Sequence, residues 1–508
     1  MKNLSWRALA ALLSLLLFGA APARAEWRRA ESPNFILYGN ASESQLRERI
    51  LLLEDFDRLL RLVTSINTPP TGNKLNIYLL ASHDDLLLIN PVPPGIAGYY
   101  MATSDGIAAF LDNNGQNSGN ELLFHEYAHH FMRQSSRNAY PVWYVEGFAE
   151  YYATVRFTAR QVDIGNYSGG RVYPIVQGSW LPMERILAGG TAGLDRQGLG
   201  LYYAQSWLLV HYFYSTRERQ AALDRLLSAL RGAPPAQALQ SATGLTPETL
   251  TQELRRYIRG GQISFRRMPR AGTDAAPAVT VTVLPRSAAD MIVFEGALRV
   301  GIREENRQPY LQRIRAAAAR YPDDALAMRV QAHAELLYGD AAVADRLLDQ
   351  LLAASPGNAE LLYLKGLRYL IAAEGDDPPE GAAATARTWF GRAHRADGNH
   401  FQTLYRYAQS QRRERAFLSE NTRNMMLLAH ELAPQVADIT MNTASLLIAR
   451  REYAQAIGLL RPLAVDPHNA GLARAAQQMI ARAEARQRPA GEREPATPDD
   501  APPGNDLP

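Results

Sequence analysis

The chain has 508 residues, 47% of them hydrophobic and 21% charged, a balance that excludes a largely disordered polypeptide. Its formal charge of +3 equals the three bases Lys2, Arg7 and Arg24; the remainder is formally neutral, so no basic face for nucleic acid is implied. Cysteine is absent, which excludes disulfides, thiol nucleophiles, iron–sulfur clusters and Cys-type zinc sites.

Residues 1–25 read as a signal peptide. A basic start at Lys2 and Arg7 is followed by the apolar run Ala8 to Ala20 and by the small-residue cleavage pattern Ala23-Arg24-Ala25. The expectation is export to the periplasm or beyond, cleavage near Ala25, and a mature chain from Glu26 with no membrane span.

Asn34 to Tyr38 predicts a strand. Glu43 to Val63 predicts a long helix, with Leu46, Ile50, Leu53, Phe56 and Leu60 spaced three and four apart. Lys74 to Leu80 predicts a second strand, Asp84 to Leu88 a short helix, and Asn90 to Gly98 a loop. Gly106 to Leu111 predicts a third strand, ending in the turn-rich run Asp112 to Asn117. Helical patterns then dominate to about Arg259, so residues 26–265 are expected to form one α+β domain. Residues 266–290, punctuated by Pro269, Gly272, Pro277 and Pro285 around the strand-like Val279 to Leu284, read as a linker.

From 291 to 484 the chain is Ala- and Leu-rich, and it repeats. Pro322 and Pro356 lie 34 residues apart, and Pro467 follows Pro434 by 33. Gly339-Asp340 marks a turn before Ala344 and Leu348. Leu362, Gly366 and Tyr369, then Ala386, Phe390 and Ala393, and later Tyr453, Ala456 and Leu460, keep helical spacing with small residues where two helices would touch. A period of this length resembles the tetratricopeptide repeat, an all-α solenoid that offers a concave surface to protein partners. Residues 485–508, rich in Pro, Asp and Glu, are expected to be disordered.

The chemistry is concentrated in His125-Glu126-x-x-His129. Ser118 and Glu121 form a capping-box pattern, and no Gly or Pro interrupts Asn120 to Gln134, so the segment predicts a helix. Residues four apart differ by only ~40° around a helix. His125 and His129 therefore share a face and can reach one ion, while Glu126 stands beside them, placed to hold a metal-bound water. Pro141 opens a second helix that is apolar apart from Glu146 and Glu150. A carboxylate in so apolar a helix needs a partner. Glu146 would supply the anionic third ligand that two neutral histidines leave wanting, with one position open for water. Glu150 either accepts the free ring N–H of a histidine ligand or forms a surface salt bridge. Gly147 would let the second helix approach the first.

His125-Glu126-x-x-His129 followed by Trp143-x-x-Glu146-Gly-Phe-Ala resembles the gluzincin metallopeptidases, and most of all exported bacterial members of that group, over about 26–215. The resemblance implies an α+β zincin-like catalytic domain, one Zn2+ held by His125, His129 and Glu146, and Glu126 as general base. It also implies an oxyanion-stabilising group on a later helix, for which Tyr203 is the candidate and Tyr202 its rival. In zincins an edge strand just before the zinc helix pairs with extended substrate, and Gly106 to Leu111 holds that position. The Gly-x-Met-Glu-Asn type segment of the aminopeptidases is missing, and Glu150 replaces the Asp of thermolysin-like members. His130 and His211 receive no role, His130 being assigned to packing or the surface.

These features lead to an exported zinc metallopeptidase acting on peptide or protein, with repeats that dock a partner or substrate. The alternatives are a non-catalytic envelope binding or assembly protein with a relic zincin domain, and hydrolysis of a non-peptide amide or ester at the same site.

Overall fold

The computed structural model describes residues 26–90, 98–112, 119–136, 138–167, 169–178, 180–260, 263, 265–270, 277–466 and 469–487. The signal segment 1–25, Ser118, most of the expected loop after Asn90, most of the turn run after Asp112, and the tail from 488 lie outside the described residues.

Nine strands form two sheets among these residues. The larger takes β1 (Arg28–Glu31), β2 (Phe35–Gly39), β3 (Leu75–Leu80), β4 (Gly98–Thr103), β5 (Gly106–Asp112) and β9 (Thr280–Val283), in the order β4-β5-β3-β2-β1-β9. Strands β2, β3 and β5 run parallel, in register Ile36↔Asn76 and Ile77↔Ala109, whereas β4 and β1 run antiparallel to them and β9 runs antiparallel to β1. The smaller sheet takes β6 (Arg156–Phe157), β7 (Gln161–Ile164) and β8 (Arg266–Pro269) in that order.

Both faces of the larger sheet are covered, which explains why its strands read as unbroken apolar runs. Successive side chains point to opposite faces. Ile77, Leu79, Ile107, Ala109 and Leu111 enter one core, while Tyr78, Leu80, Ala108 and Phe110 enter the other. The first core is shared with α1 (Glu43–Thr64), α3 (Gly119–Ser135), α4 (Val142–Ala153) and α7 (Arg196–Tyr214). Helix α1 starts at a Ser42/Gln45 capping box. The second core lies under α2 (His83–Ile89) and α11 (Ala288–Val300), where Tyr38, Tyr78 and Phe110 stack with centroids 4.8 and 5.1 Å apart. Helix α11 crosses this stack at Gly296, where an added Cβ would stand 2.8 Å from the Phe110 ring.

The remaining helices of the first part are α5 (Gly169–Val176), α6 (Met183–Leu187), α8 (Arg217–Ala229), α9 (Pro235–Thr243) and α10 (Pro247–Arg259). From α11 onward the described residues contain only helices: α12 (Arg307–Ala318), α13 (Ala325–Tyr338), α14 (Ala341–Ala354), α15 (Ala359–Glu374), α16 (Ala382–Ala396), α17 (Phe401–Gln409), α18 (Glu420–Leu432), α19 (Ala437–Ala449), α20 (Tyr453–Leu460) and α21 (Ala470–Gln487), with short 3-10 turns. Neighbours in sequence pack on one another as pairs. Side chains of Asp324, Asp340 and Asn358 cap α13, α14 and α15. Gly366 permits a close pairing of α15 with α16, since a Cβ there would lie 2.6 Å from the Phe390 ring. This all-helical repeat part agrees with the expected architecture.

Four expectations are corrected. Residues 266–290 are not a linker: β8 pairs with β7 and β9 with β1, so the segment belongs to both sheets. Gly106 to Asp112 is not an edge strand, because β5 lies between β3 and β4 and the edge is β4. The helical part is not a separate body, since Phe401, Leu404, Tyr405, Met426, Leu432 and Ile439 join the core of the α/β part. Finally, helix α21 runs on to Gln487, past the expected start of the tail.

Candidate metal centre

Helix α3 is fixed to α1 before it offers any ligand. Phe124 stacks on Phe56 with centroids 4.1 Å apart, and Tyr127 meets Phe35 edge-on at 5.1 Å. The Tyr127 hydroxyl donates to Asp57 Oδ1 at 2.6 Å, while Arg61 Nε donates to Asp57 Oδ2 at 2.7 Å. Burial and the neighbouring Asp57 carboxylate push the Tyr127 phenol well above its usual pKa, so it stays a donor. With these residues turned toward α1, the 3.6-residue period turns His125 and His129 toward α4.

Helix α4 is seated by Trp143 and Phe148 in the core and by Gly147 against α7. The close approach differs from the expectation: a Cβ at Gly147 would meet Ser206 O at 2.3 Å and Val210 Cγ2 at 2.6 Å, so the glycine serves the contact with α7 and not with α3. One position earlier, about 100° around the helix, Glu146 faces α3 and is 1% exposed.

The structure brings His125, His129 and Glu146 together. The two Nε2 atoms are 3.1 Å apart, and Glu146 Oε2 lies 3.6 Å from His129 Nε2 and 3.9 Å from His125 Nε2. A point equidistant from these three atoms lies about 2.1 Å from each, within the ~2.0–2.2 Å of zinc–nitrogen and zinc–oxygen bonds. Among the described residues this is the one set of three His, Asp or Glu side chains that closes in this way. Two imidazoles and one carboxylate also form a donor set suited to Zn2+, and the residues fit that ion.

Glu150, one turn after Glu146 and also buried, places Oε1 3.6 Å from His125 Nδ1. That is the ring nitrogen remote from the three-donor centre. A proton held at Nδ1 beside Glu150 leaves the Nε2 lone pair facing inward. Glu126 is half-buried on α3, next in sequence to His125. Both candidate tyrosines rise from α7, which packs on α4. Tyr202 is fully buried, its hydroxyl donating to Ile186 O at 3.4 Å, and burial followed by the Glu146 charge raises its pKa. Tyr203 is half-buried, with its ring 6.3 Å from that of Tyr202.

The two unassigned histidines are structural links. His211 Nε2 faces Gly165 O at 3.0 Å and must donate to it, so Nδ1 accepts from Tyr257 at 2.8 Å. His130 is buried against the Tyr127 ring, and its Nδ1 shares a 3.0 Å hydrogen bond with the Tyr100 hydroxyl of β4. Burial, and then Arg133, push the His130 pKa down to about 3, so the ring is neutral. It thereby joins the edge strand to the helix that carries His125 and His129. Tyr100 escaped the sequence reading because β4 did. The available signal was Asp105-Gly106 between apolar stretches, a hairpin mark.

No protein-family model matches the chain, and no curated protein matches it. Several solved structures are remotely similar, three of which follow. A thermophilic TPR protein of Thermus thermophilus is 13% identical, with a TM-score of 0.33 over 38% of this chain and 99% of that one. The APC/C hetero-tetramer Cut9–Hcn1 is 14% identical, with a TM-score of 0.30 over 62% and 53% of the two chains. Yeast Tom70 is 12% identical, with a TM-score of 0.32 over 74% and 76%. Likenesses at this level carry no argument about the site.

Proposed function

We propose that this chain is an exported zinc-dependent hydrolase of peptide bonds, joined to a helical-repeat array of the kind that engages proteins. The observation that carries the hydrolase reading is the approach of His125 Nε2, His129 Nε2 and Glu146 Oε2 to within 3.1–3.9 Å of one another. A zinc ion held there would supply a Lewis acid and lower the pKa of a bound water toward ~7. Glu126 would take that water's proton on its carboxylate as the scissile carbonyl is attacked and release it to the leaving amine. Glu150 would hold the His125 ring in its ligand tautomer. Tyr203, half-buried on α7, is the candidate to donate to the carbonyl oxygen as charge develops there, with Tyr202 as the alternative donor. Export rests on the N-terminal sequence pattern, and no described helix is long and apolar enough to cross a membrane.

A second reading has its own observation. The chain spends α12 to α21 on paired helices, and an array of that kind suits a non-catalytic binding or assembly protein in the envelope, whose metal site is a relic. One experiment separates the two: digestion of a proteome-derived peptide library by the zinc-loaded chain and by Glu126→Gln. Cleavage lost in the variant supports the hydrolase. Equal cleavage by both ends the role given to Glu126, and no cleavage by either favours the binding protein.

A further inference from the structure

We propose that the helical array acts on its own chain, clamping the β4–β5 turn so that edge strand β4 is held against the helix bearing His125 and His129. This inference rests on contacts within the chain and not on the metal reading.

The contacts converge on four consecutive residues. Arg406 of α17 places Nη2 2.6 Å from Asp105 Oδ1 and 3.4 Å from Ser104 Oγ, and Gln402, one turn earlier, donates to the Asp105 carbonyl at 3.4 Å. Thr103 Oγ1 donates to Arg299 O of α11 at 3.2 Å, and an added Cβ at Gly106 would stand 3.1 Å from the same carbonyl. Helix α19 packs on β4, and its Asn442 donates to the Tyr405 hydroxyl of α17 at 2.9 Å. The turn is therefore held by α11 and by α17 of the array, while α19 packs on β4.

A second set of contacts reaches the metal helix. Arg133, in the last turn of α3, pairs with Asp466 of the array at 3.0 Å, and the Asp466 side chain is 7% exposed. Asn73, before β3, donates to Leu432 O at 2.7 Å. Between the two sets stands the Tyr100–His130 hydrogen bond. The array thus grips the strand at its turn and the helix at its end, and the two are tied to each other midway. An edge strand covered by a helix is also protected from pairing with other chains. Cover alone, however, needs no charged contact at the turn. The Arg406–Asp105 pair is a charge-assisted hydrogen bond to a single site, and it occupies this part of the array with the chain's own turn.

The test is hydrogen exchange on the full mature chain in EDTA, so that no metal contributes to the result. Arg406→Glu is expected to speed exchange in Gly98–Thr103 and the following turn by about tenfold, leaving β2 and β3 unchanged. Asp105→Arg should do the same, and the double charge swap should restore most of the protection. Arg406→Gln, which keeps a donor without the charge and spares the fold, should give a smaller rise in the same segment. Exchange in β4 equal to wild type in Arg406→Gln and in either reversal would overturn the clamp. A double swap no better protected than the single variants would overturn it as well.

Discussion

Replacing Gly147 by alanine adds one methyl group at the tightest approach between α4 and α7. That carbon would sit 2.3 Å from Ser206 O, 2.8 Å from Ser206 C and 2.6 Å from Val210 Cγ2. Two of the three obstacles are backbone atoms, so no side-chain rotation relieves the clash, and the helices must separate by about 1 Å. Overpacking of this kind costs ~1–3 kcal/mol, and at ~2–4 °C per kcal/mol in domains of this size the first unfolding transition should fall by roughly 2–12 °C. The displaced helix carries Glu146 on its next face. Metal–ligand distances tolerate only ~0.2 Å, so zinc affinity by chelator competition should weaken ~10–100-fold, as when a ligand loses its support. Gly200→Ala is the control: nothing lies within 4 Å of its added carbon, and the helix should gain ~0.5–1 kcal/mol. A Gly147→Ala protein with wild-type melting and wild-type zinc affinity would refute the claim that this approach sets the position of Glu146.

Tyr127→Phe removes the 2.6 Å bond to Asp57 and leaves that buried carboxylate with Arg61 as its remaining side-chain partner; it should cost ~1.5–3 kcal/mol by thermal melting while zinc stoichiometry is retained. Glu295, buried between α11 and α13, would have its pKa raised by burial, but Arg329 and Arg299 outweigh burial and hold it below the usual carboxylate value. Its folded pKa is depressed, so its stabilisation is complete above the unfolded value of ~4.3 and is lost as pH falls through the folded value. Glu295→Gln should therefore be ~3–5 kcal/mol less stable at neutral pH, as when a buried pair loses one partner. The gap to wild type should narrow below pH ~4.3, and melting temperatures of both proteins across that range check it; a gap constant with pH would count against the pairing.

The residues of the candidate metal centre were legible because their information is local. His125 and His129 need only a helix and a spacing of four, and Glu146 and Glu150 stand out as the carboxylates of an otherwise apolar helix. Strands β2, β3 and β5 were legible for the same reason, as short apolar runs bounded by turn residues. What escaped depends on partners distant in the chain. Arg267 on β8 pairs with Asp163 on β7 across 104 residues, and β9 pairs with β1 from the far end of the α/β part. Nothing in the Pro-punctuated segment 266–290 announces either contact. Phe401, Leu404 and Met426 lie within the range read as repeats, and only the fold reveals that they close over the α/β core. His130 was unreadable for a similar reason, since its partner Tyr100 lies on a strand of six residues whose preceding segment is rich in Pro and Gly.

Metal analysis of the purified mature chain tests the central claim most directly. About one zinc per chain is expected after equilibration with Zn2+ and removal of excess, falling to background in His129→Ala and in Glu146→Ala but retained in Glu126→Gln. Zinc content indistinguishable between wild type and both ligand variants, or absent from folded wild type, would contradict it.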